Sequence, residues 1–184
     1  DPALAAEQHA GYVAALAGAG WEVRDVEPAD GLPDSAFIED AVVVFDGLAV
    51  LTRPGAPERL GEIAGAEEAV RGLGLDVARI DAPGTLDGGD VLRVGSTLYV
   101  GRGGRTNDEG LRQLGELIAP RGGTVVPVAL DGVLHLKSAV TALPDGTIVC
   151  ADEGWVDTCA LPRVRPVPEE AGSHVVLLGD TRVL

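Results

Sequence analysis

The stretch TLDGGDVLRVGSTLYV, residues 85–100, decides the fold. It holds a polar connector from Thr85 to Asp90, an apolar run Val91 to Val94, a Gly95-Ser96 turn and a second run, Thr97 to Val100. Two β-prone runs around a two-residue turn with glycine predict a β-hairpin. Upstream, PDSAFIEDAVVVF (33–45) leads into an Asp46-Gly47 turn and a return run Leu48 to Thr52. Downstream, LHLKS (134–138) leads into a hairpin turned at Asp145-Gly146. The three turns lie roughly 50 residues apart, a period that marks repeated supersecondary units. Residues at one phase of such a repeat tend to meet in space, so the acids and the histidine of these connectors are candidates for a single site.

The segments between the hairpins complete the unit. Pro57 opens a predicted helix to Leu73, closed by Gly74, and Leu75 to Ile80 reads as a strand. The order recurs with a helix from Asn107 to Ala119 and a strand from Thr124 to Val128. Ahead of the first hairpin stand an Ala-rich helix, Ala3 to Ala19, and an alternating strand, Trp21 to Val26; a last hairpin joins Val175–Leu178 to Thr181–Leu184. The chain is therefore α/β with a ββαβ unit. Periodicity alone leaves both a closed radial arrangement and an open mixed sheet open.

At 184 residues with 46% hydrophobic content, the chain can bury a substantial core as one domain, 1–184. No apolar stretch approaches the roughly 20 residues of a membrane span, and Asp1-Pro2-Ala3-Leu4 lacks the features of a secretory signal. A cytoplasmic protein with no membrane partner is expected. The absence of any Met, including an initiator, implies a chain that begins or ends inside a longer gene product. A formal charge of -15 opposes binding to nucleic acid, whose affinity rests on cationic neutralisation, and either draws in a cationic small molecule or serves solubility alone. Cys150 and Cys159 are too sparse for a disulfide scaffold and lack metal-type spacing, so reduced thiols and no metal site are expected.

Each connector carries candidate chemistry and an ordinary alternative. His135, between Leu134 and Leu136, is either a core or capping histidine or an acid–base group; its phase relation to Asp87 favours the second. In Asp87-Gly88-Gly89-Asp90 the glycines permit close backbone approach or positive φ. One of the two aspartates could orient a histidine, as the acid of a nucleophile triad does, and would then be nearly buried. Asp34, Glu39 and Asp40 surround Phe37, so carboxylates beside an aromatic wall make a guanidinium pocket, against the alternative of an acidic loop in an acidic protein. Arg53, Arg59, Arg102 and Arg105 punctuate the far ends of the hairpins and could fork onto a substrate carboxylate or pair with local acids. Gly101 to Gly104 lacks the Lys-Ser/Thr ending of a phosphate loop. His9 and His174 have no acidic motif beside them and read as surface residues.

Taken together, PDSAFIEDAVVVF, LTRPGAPER, TLDGGDVLRVGSTLYVGRGGRTN and VLHLKSAVTALPDG resemble the dimethylarginine dimethylaminohydrolases of the pentein, or guanidino-group-modifying, superfamily. The resemblance runs nearly end to end. It implies a pentein-type α/β propeller of five ββαβ modules, incomplete in this chain and truncated at both ends, with the site on the central axis. It implies hydrolysis of asymmetric dimethylarginine or monomethylarginine to citrulline and a methylamine, with no cofactor. By matching motifs, His135 is the catalytic histidine and Asp87 its acidic partner. Asp34, Phe37, Glu39 and Asp40 form the guanidinium side, and Arg59 and Arg105 hold the amino-acid end. The family's nucleophilic cysteine lies beyond a hairpin like Val175–Leu184, and nothing here matches it; neither Cys150 nor Cys159 is at the connector phase. Arginine deiminase or amidinotransferase chemistry on the same scaffold stays open, as does a binding protein without turnover if 184 residues are the whole product. A homodimer stays open too, because periodicity does not mark a partner surface.

Overall fold

A computed structural model describes residues 1–184 apart from the side chain of Glu153. The elements follow in the order α1 (Pro2–Gly18), β1 (Val42–Phe45), β2 (Leu48–Leu51), α2 (Ile63–Gly72), β3 (Asp76–Arg79), β4 (Val91–Val94), β5 (Thr97–Arg102), α3 (Asp108–Ile118), β6 (Thr124–Ala129), β7 (Val140–Ala142), β8 (Ile148–Cys150) and β9 (Val164–Pro166). They build three three-stranded sheets, β1-β2-β3, β4-β5-β6 and β7-β8-β9. In every sheet the first pair is an antiparallel hairpin and the third strand returns parallel to the second. The predicted unit is thus present twice in full, and a third time with its three strands but no α-helix. A parallel return needs a long crossover, and α2 and α3 provide the first two.

The helix signals in the sequence act as capping physics predicts. Asp1 accepts the backbone N–H of Ala3 at the start of α1, and Pro2 occupies the first turn, where a missing N–H costs nothing. Asn107 caps α3 by accepting from Gly110 N–H at 2.8 Å, and the same oxygen accepts from Thr85 N–H at 3.0 Å. That shared oxygen ties the helix start to the connector in front of β4. Pro57 opens a 3₁₀ segment, Pro57–Glu62, before the α-helix proper begins at Ile63, so the predicted helix is present with a tighter first part.

One core joins the first two sheets. Phe45, Leu48 and Val50 of the first hairpin pack with Leu86, Leu98 and Val100 and with Leu111, Leu114 and Ile118 of α3. A second core under the third sheet collects Leu92, Val128, Leu136, Val140, Ile148 and Cys150. The cores bury one face of each hairpin and leave its connector end free to carry polar groups.

Three departures from the sequence reading have local causes. Trp21 to Val26 forms no strand, because no hairpin strand lies alongside to take its backbone hydrogen bonds. Residues 175–184 pair across a turn through Val176 N–H to Leu184 O, Leu184 N–H to Val176 O and Leu178 N–H to Arg182 O, each at 2.9 Å, yet carry only the bridge Leu177–Val183. The third crossover has no α-helix but two 3₁₀ turns, Glu153–Trp155 and Thr158–Ala160, the second capped by Asp157. β9 itself, with Pro162 before it and Pro166 at its end, lies on the sheet edge, where a residue without N–H is tolerated. Among the described residues no helix is long and apolar enough to cross a membrane.

Leu114 is fully buried between the first two sheets. Leu114→Ala is expected to lower unfolding free energy by about 2–5 kcal/mol, the range for a buried Leu truncation, measured as a shift of the urea midpoint at unchanged slope.

Candidate active site

Each hairpin is entered through a short 3₁₀ turn, Ile38–Ala41 before β1, Gly88–Asp90 before β4 and Leu136–Ser138 before β7. The turns are closed by the same bond at the same phase. Asp40 N–H donates to Phe37 O, Asp90 N–H to Asp87 O and Ser138 N–H to His135 O, at 3.0, 3.0 and 3.1 Å. Phe37, Asp87 and His135 are therefore structural equivalents, as are Asp40, Asp90 and Ser138. The Gly88–Asp90 turn lies between the other two and touches both.

The two glycines make that approach possible. A Cβ on Gly88 would collide with the carbonyl oxygen of Glu39, and one on Gly89 would lie 2.6 Å from Asp40 Oδ1 and 3.0 Å from His135 Cγ. Neither glycine has positive φ, so close approach is the reason for the pair. With no side chain in the way, Gly89 N–H donates to Asp40 Oδ1 at 2.8 Å.

The polar groups converge at this junction. Asp40, Asp87, Asp90 and His135 are all buried. Asp40 Oδ2 takes Arg59 Nη1 at 2.7 Å, while the Nε edge of Arg59 is held by both oxygens of Glu62 at 3.1 Å and its Nη2 by Glu62 Oε2 at 2.8 Å. The Arg59 guanidinium is consequently raised in pKa, first by its hydrogen bond to Glu62 and then, against the cost of burial, by Asp40. Removing one member of such a buried charged group typically costs about 3–5 kcal/mol, because its partner remains buried and unpaired. Asp87 Oδ1 accepts Gly55 N–H at 2.8 Å, whereas its Oδ2 faces Arg105 Nη1 at 3.8 Å without a hydrogen bond. Burial is the main cause of a raised Asp87 pKa, aided by the charges of Asp40 and Asp90 and opposed by the Gly55 N–H and His135.

His135 sits among three carboxylates. Its Nδ1 is 3.4 Å from Asp90 Oδ1, and its Nε2 is 3.8 Å from Asp40 Oδ2 and 3.9 Å from Asp87 Oδ2. Burial pushes the imidazole pKa down, but Asp90 and then the charges of Asp40 and Asp87 outweigh it, leaving the group above its ordinary value. The Asp90 contact is electrostatic at this distance and angle; Nδ1 itself has no hydrogen-bond partner. Among the described residues, His135 Nδ1, Asp87 Oδ2 and Arg105 Nη1 are the buried side-chain polar atoms without one, and all three belong to this junction. Buried polar atoms are rarely left unpaired, so the cluster marks a place built to meet a ligand.

The junction opens into a cleft of about 610 Å³. All eight residues picked from the sequence lie in it or at its base. Asp34, Phe37, Glu39, Asp40, Arg59, Arg105 and His135 line it, and Asp87 lies beneath, against His135 and Arg105. Their situations differ. Phe37 is 62% exposed on the rim, and Leu134 beside it adds apolar surface at 58%. Glu39 is at the mouth, paired with Lys137 Nζ at 2.6 Å. Arg59 is adjacent to Asp40 rather than at the opposite end of the cleft, and its backbone-facing Nη2 reaches Asp34 O at 3.2 Å. Arg102 pairs with Asp108 at the surface, the ordinary alternative for it. His174 is exposed, while His9, also exposed, borders the cleft with Tyr12.

Three further buried residues belong to the junction, of which only Asp90 stood in the sequence reading, as one of the two aspartates that could orient a histidine. Asp90 was visible as the repeat equivalent of Asp40; Glu62 stands three residues after Arg59, one helical turn on the same face. Thr106 carried no signal. Its hydroxyl donates to Asp90 Oδ2 at 2.6 Å, a contact made only by the packing of the loop before α3. Cys150 is buried in β8 and Cys159 is exposed in the third crossover, and neither borders the cleft.

Ligand atoms of Asp40, Asp87 and His135 lie within 4.8 Å of one another, close enough to hold a metal ion. The charges argue for a different guest. Asp40 is already matched by Arg59, and Arg105 stands beside Asp87, so a dication would face two guanidinium groups at short range. A planar monocation with several N–H donors suits the same oxygens better.

No protein-family profile matches the chain. It is 57% identical over 185 residues to an N(G),N(G)-dimethylarginine dimethylaminohydrolase of Streptomyces coelicolor, covering 100% of this chain and 71% of that protein. A protein of the same description from Pseudomonas aeruginosa is 40% identical over 154 residues, 83% of this chain and 61% of the relative. Among solved structures, the Pseudomonas aeruginosa enzyme in a cysteine-to-serine mutant complexed with citrulline superimposes with a TM-score of 0.88 at 35% identity, covering 100% of this chain and 73% of that one. The three repeated sheets are thus those of the pentein α/β propeller.

Two expectations follow from the geometry. Gly88→Ala should separate the first two turns, lowering stability by about 1–3 kcal/mol in denaturant unfolding, as overpacking does. Because the folded protein raises the His135 pKa above 6.5, the protonated imidazole adds stability below that pH and loses it as pH rises through the folded value. The stability gap between wild type and His135→Gln should therefore be widest below pH 6.5 and close at alkaline pH, measured by urea unfolding across pH. With 57% identity over its whole length and the fold of the solved enzyme, the chain belongs to the dimethylarginine dimethylaminohydrolase family.

Proposed function

We propose that the whole protein hydrolyses asymmetric dimethylarginine or monomethylarginine to citrulline and a methylamine. The observation that carries this reading is His135, held among three buried carboxylates at the base of an acidic cleft on a chain of this family. The Pseudomonas aeruginosa structure binds citrulline, the product such a reaction would leave. Asp40 and Asp87 would take the N–H groups of the substrate guanidinium, with Phe37 and Leu134 covering its face and methyl groups. Asp34, Glu39 and Arg105 would hold the more distant parts, and Arg59, engaged by Asp40 and Glu62, would keep Asp40 in place instead of holding the amino-acid end.

The chemistry is nucleophilic. A thiolate adds to the guanidinium carbon, the carbon–nitrogen bond to the methylated nitrogen breaks, and His135 gives that nitrogen its proton as the amine leaves. Water then adds to the remaining thiouronium carbon, with His135 taking a proton, and expels the thiolate to release citrulline. The raised His135 pKa keeps the acid form available near neutral pH. We place the thiol in the part of the protein outside these 184 residues, since neither Cys150 nor Cys159 borders the cleft. No cofactor is needed, and a cytoplasmic setting without a nucleic-acid partner suits a protein of charge -15.

The same absence of a cysteine from the cleft favours a second reading for the 184 residues alone, binding a cationic arginine derivative without turnover. Citrulline and dimethylamine release from asymmetric dimethylarginine separates them, comparing this chain with one extended to about the length of its relatives. Turnover by the extended chain alone is expected. Asp40→Asn in that chain should lower kcat/KM about 10- to 100-fold, the loss of one charge-assisted hydrogen bond. Release of ammonia from unmethylated arginine at a higher kcat/KM would make the protein an arginine deiminase, and no turnover by either chain would leave the binding reading.

A further inference from the structure

The connector turns that end on Asp40 and Ser138 are held by their carbonyls, and the two are held from different places. In the first, the Thr52 hydroxyl donates to Asp40 O at 2.6 Å. Thr52 directly follows Leu51, the strand partner of Val42, the first residue of β1. The same register puts Gly101 at that place in the second sheet and Ala151 in the third, and neither carries a hydroxyl. The second turn lies between the other two and touches both. In the third, Ser138 O is met instead by the ring of His174, with Nε2 at 3.0 Å. A carbonyl oxygen only accepts, so Nε2 carries the proton. Thr141 of β7 puts that ring in place: its hydroxyl donates to Ser173 O at 2.5 Å and accepts Val175 N–H at 3.1 Å, gripping both neighbours of the histidine. Ser173 is fully buried, with its own hydroxyl on Glu170 O at 2.7 Å.

We propose that His174 is a positioning residue, whose ring N–H, donated to Ser138 O, fixes the turn that presents His135 to the cleft, as the Thr52 hydroxyl fixes the turn that presents Asp40. This rests on the hydrolase reading in taking His135 as the acid–base group. The path from one histidine to the other is short. Ser138 N–H closes the turn on His135 O at 3.1 Å, so a displacement of Ser138 reaches the His135 backbone through one hydrogen bond. His174 does not line the cleft, whereas Ser138 does, so the effect passes through the turn alone. The His135 ring lies 3.4–3.9 Å from three carboxylates, a range in which small movements change an interaction steeply. A misplacement of about 1 Å at a reacting group can cost on the order of 100-fold in rate. Both the neutral Nε2–H ring and the imidazolium can donate to a carbonyl, so the hold on Ser138 does not depend on the charge of His174.

The test is NMR titration of the His135 ring in the 184-residue chain, assigned by the signal lost in His135→Gln, run beside citrulline release by the extended chain. His174→Leu, which removes the donor, is expected to lower the His135 midpoint toward the ordinary 6.5, because a ring that leaves its carboxylates loses what holds it above that value. In the extended chain the same change should lower kcat about 10- to 100-fold with KM little altered. His174→Gln, which keeps a side-chain N–H at similar reach, should bring both back toward wild type. Thr141→Val frees residues 173–175 while leaving the ring, should shift both in the direction of His174→Leu, and keeps the proposal testable if that variant does not fold. A wild-type midpoint in His174→Leu or Thr141→Val would overturn it, and so would equal losses in His174→Leu and His174→Gln, which would make the ring a packing group. The midpoint is read without turnover, so an extended chain that releases no citrulline would sink the hydrolase reading and still leave this one to be decided by the titration.

Discussion

The junction depends on one backbone approach, that of Gly88 and Gly89 to Glu39, Asp40 and His135. Any side chain at either glycine would occupy space held by a neighbouring connector. Because the approach is made, Gly89 N–H reaches Asp40, the Asp87–Asp90 turn lies between the other two turns, and His135 comes within 4 Å of three carboxylates. The hairpin cores serve this junction by setting the angle at which each connector arrives. Hydrophobic burial is non-directional, so the placement of the polar groups has to come from the rigid turns that end the strands.

Concentrating acid in a buried place is costly, and the molecule offsets it with matched cations and donors. Arg59 is fully engaged by Asp40 and Glu62, and Asp90 receives two hydrogen bonds. What is left over is a partly satisfied group: Asp87 Oδ2, Arg105 Nη1 and His135 Nδ1. Structural ion pairs tend to leave no such remainder, whereas a functional site keeps its unspent hydrogen-bonding capacity for the ligand. The opposed pKa influences on His135, burial against three carboxylates, are the electrostatic side of the same arrangement.

Much of this was legible before any coordinates. The hairpin turns, the capped helices and their recurrence are local signals, carried by Gly, Asn, Asp and Pro at fixed offsets and by apolar periodicity. The connector phase relates Asp87 to His135, whereas Asp40, at the phase of Asp90 and Ser138, was marked by the carboxylates around Phe37. The strand predicted at Trp21–Val26 and the unpredicted β9 show where local signals stop: an extended segment becomes a strand only if another backbone lies beside it.

The amino-acid sequence by itself determined the ββαβ repeat, the acidity of the cleft and the identity of most residues that line it, because each of these is written in residue types at short range. Only the tertiary structure decided which acid faces which edge of His135, that Arg59 is neutralised by Glu62 as well as Asp40, and that Thr106 takes part at all. Those are contacts of 2.6–3.9 Å, and the ones to His135 join different connectors. Connectors related by a repeat are placed near one another by periodicity, but the last few ångströms are set by side-chain packing, and hydrogen bonds and charge interactions are decided within them.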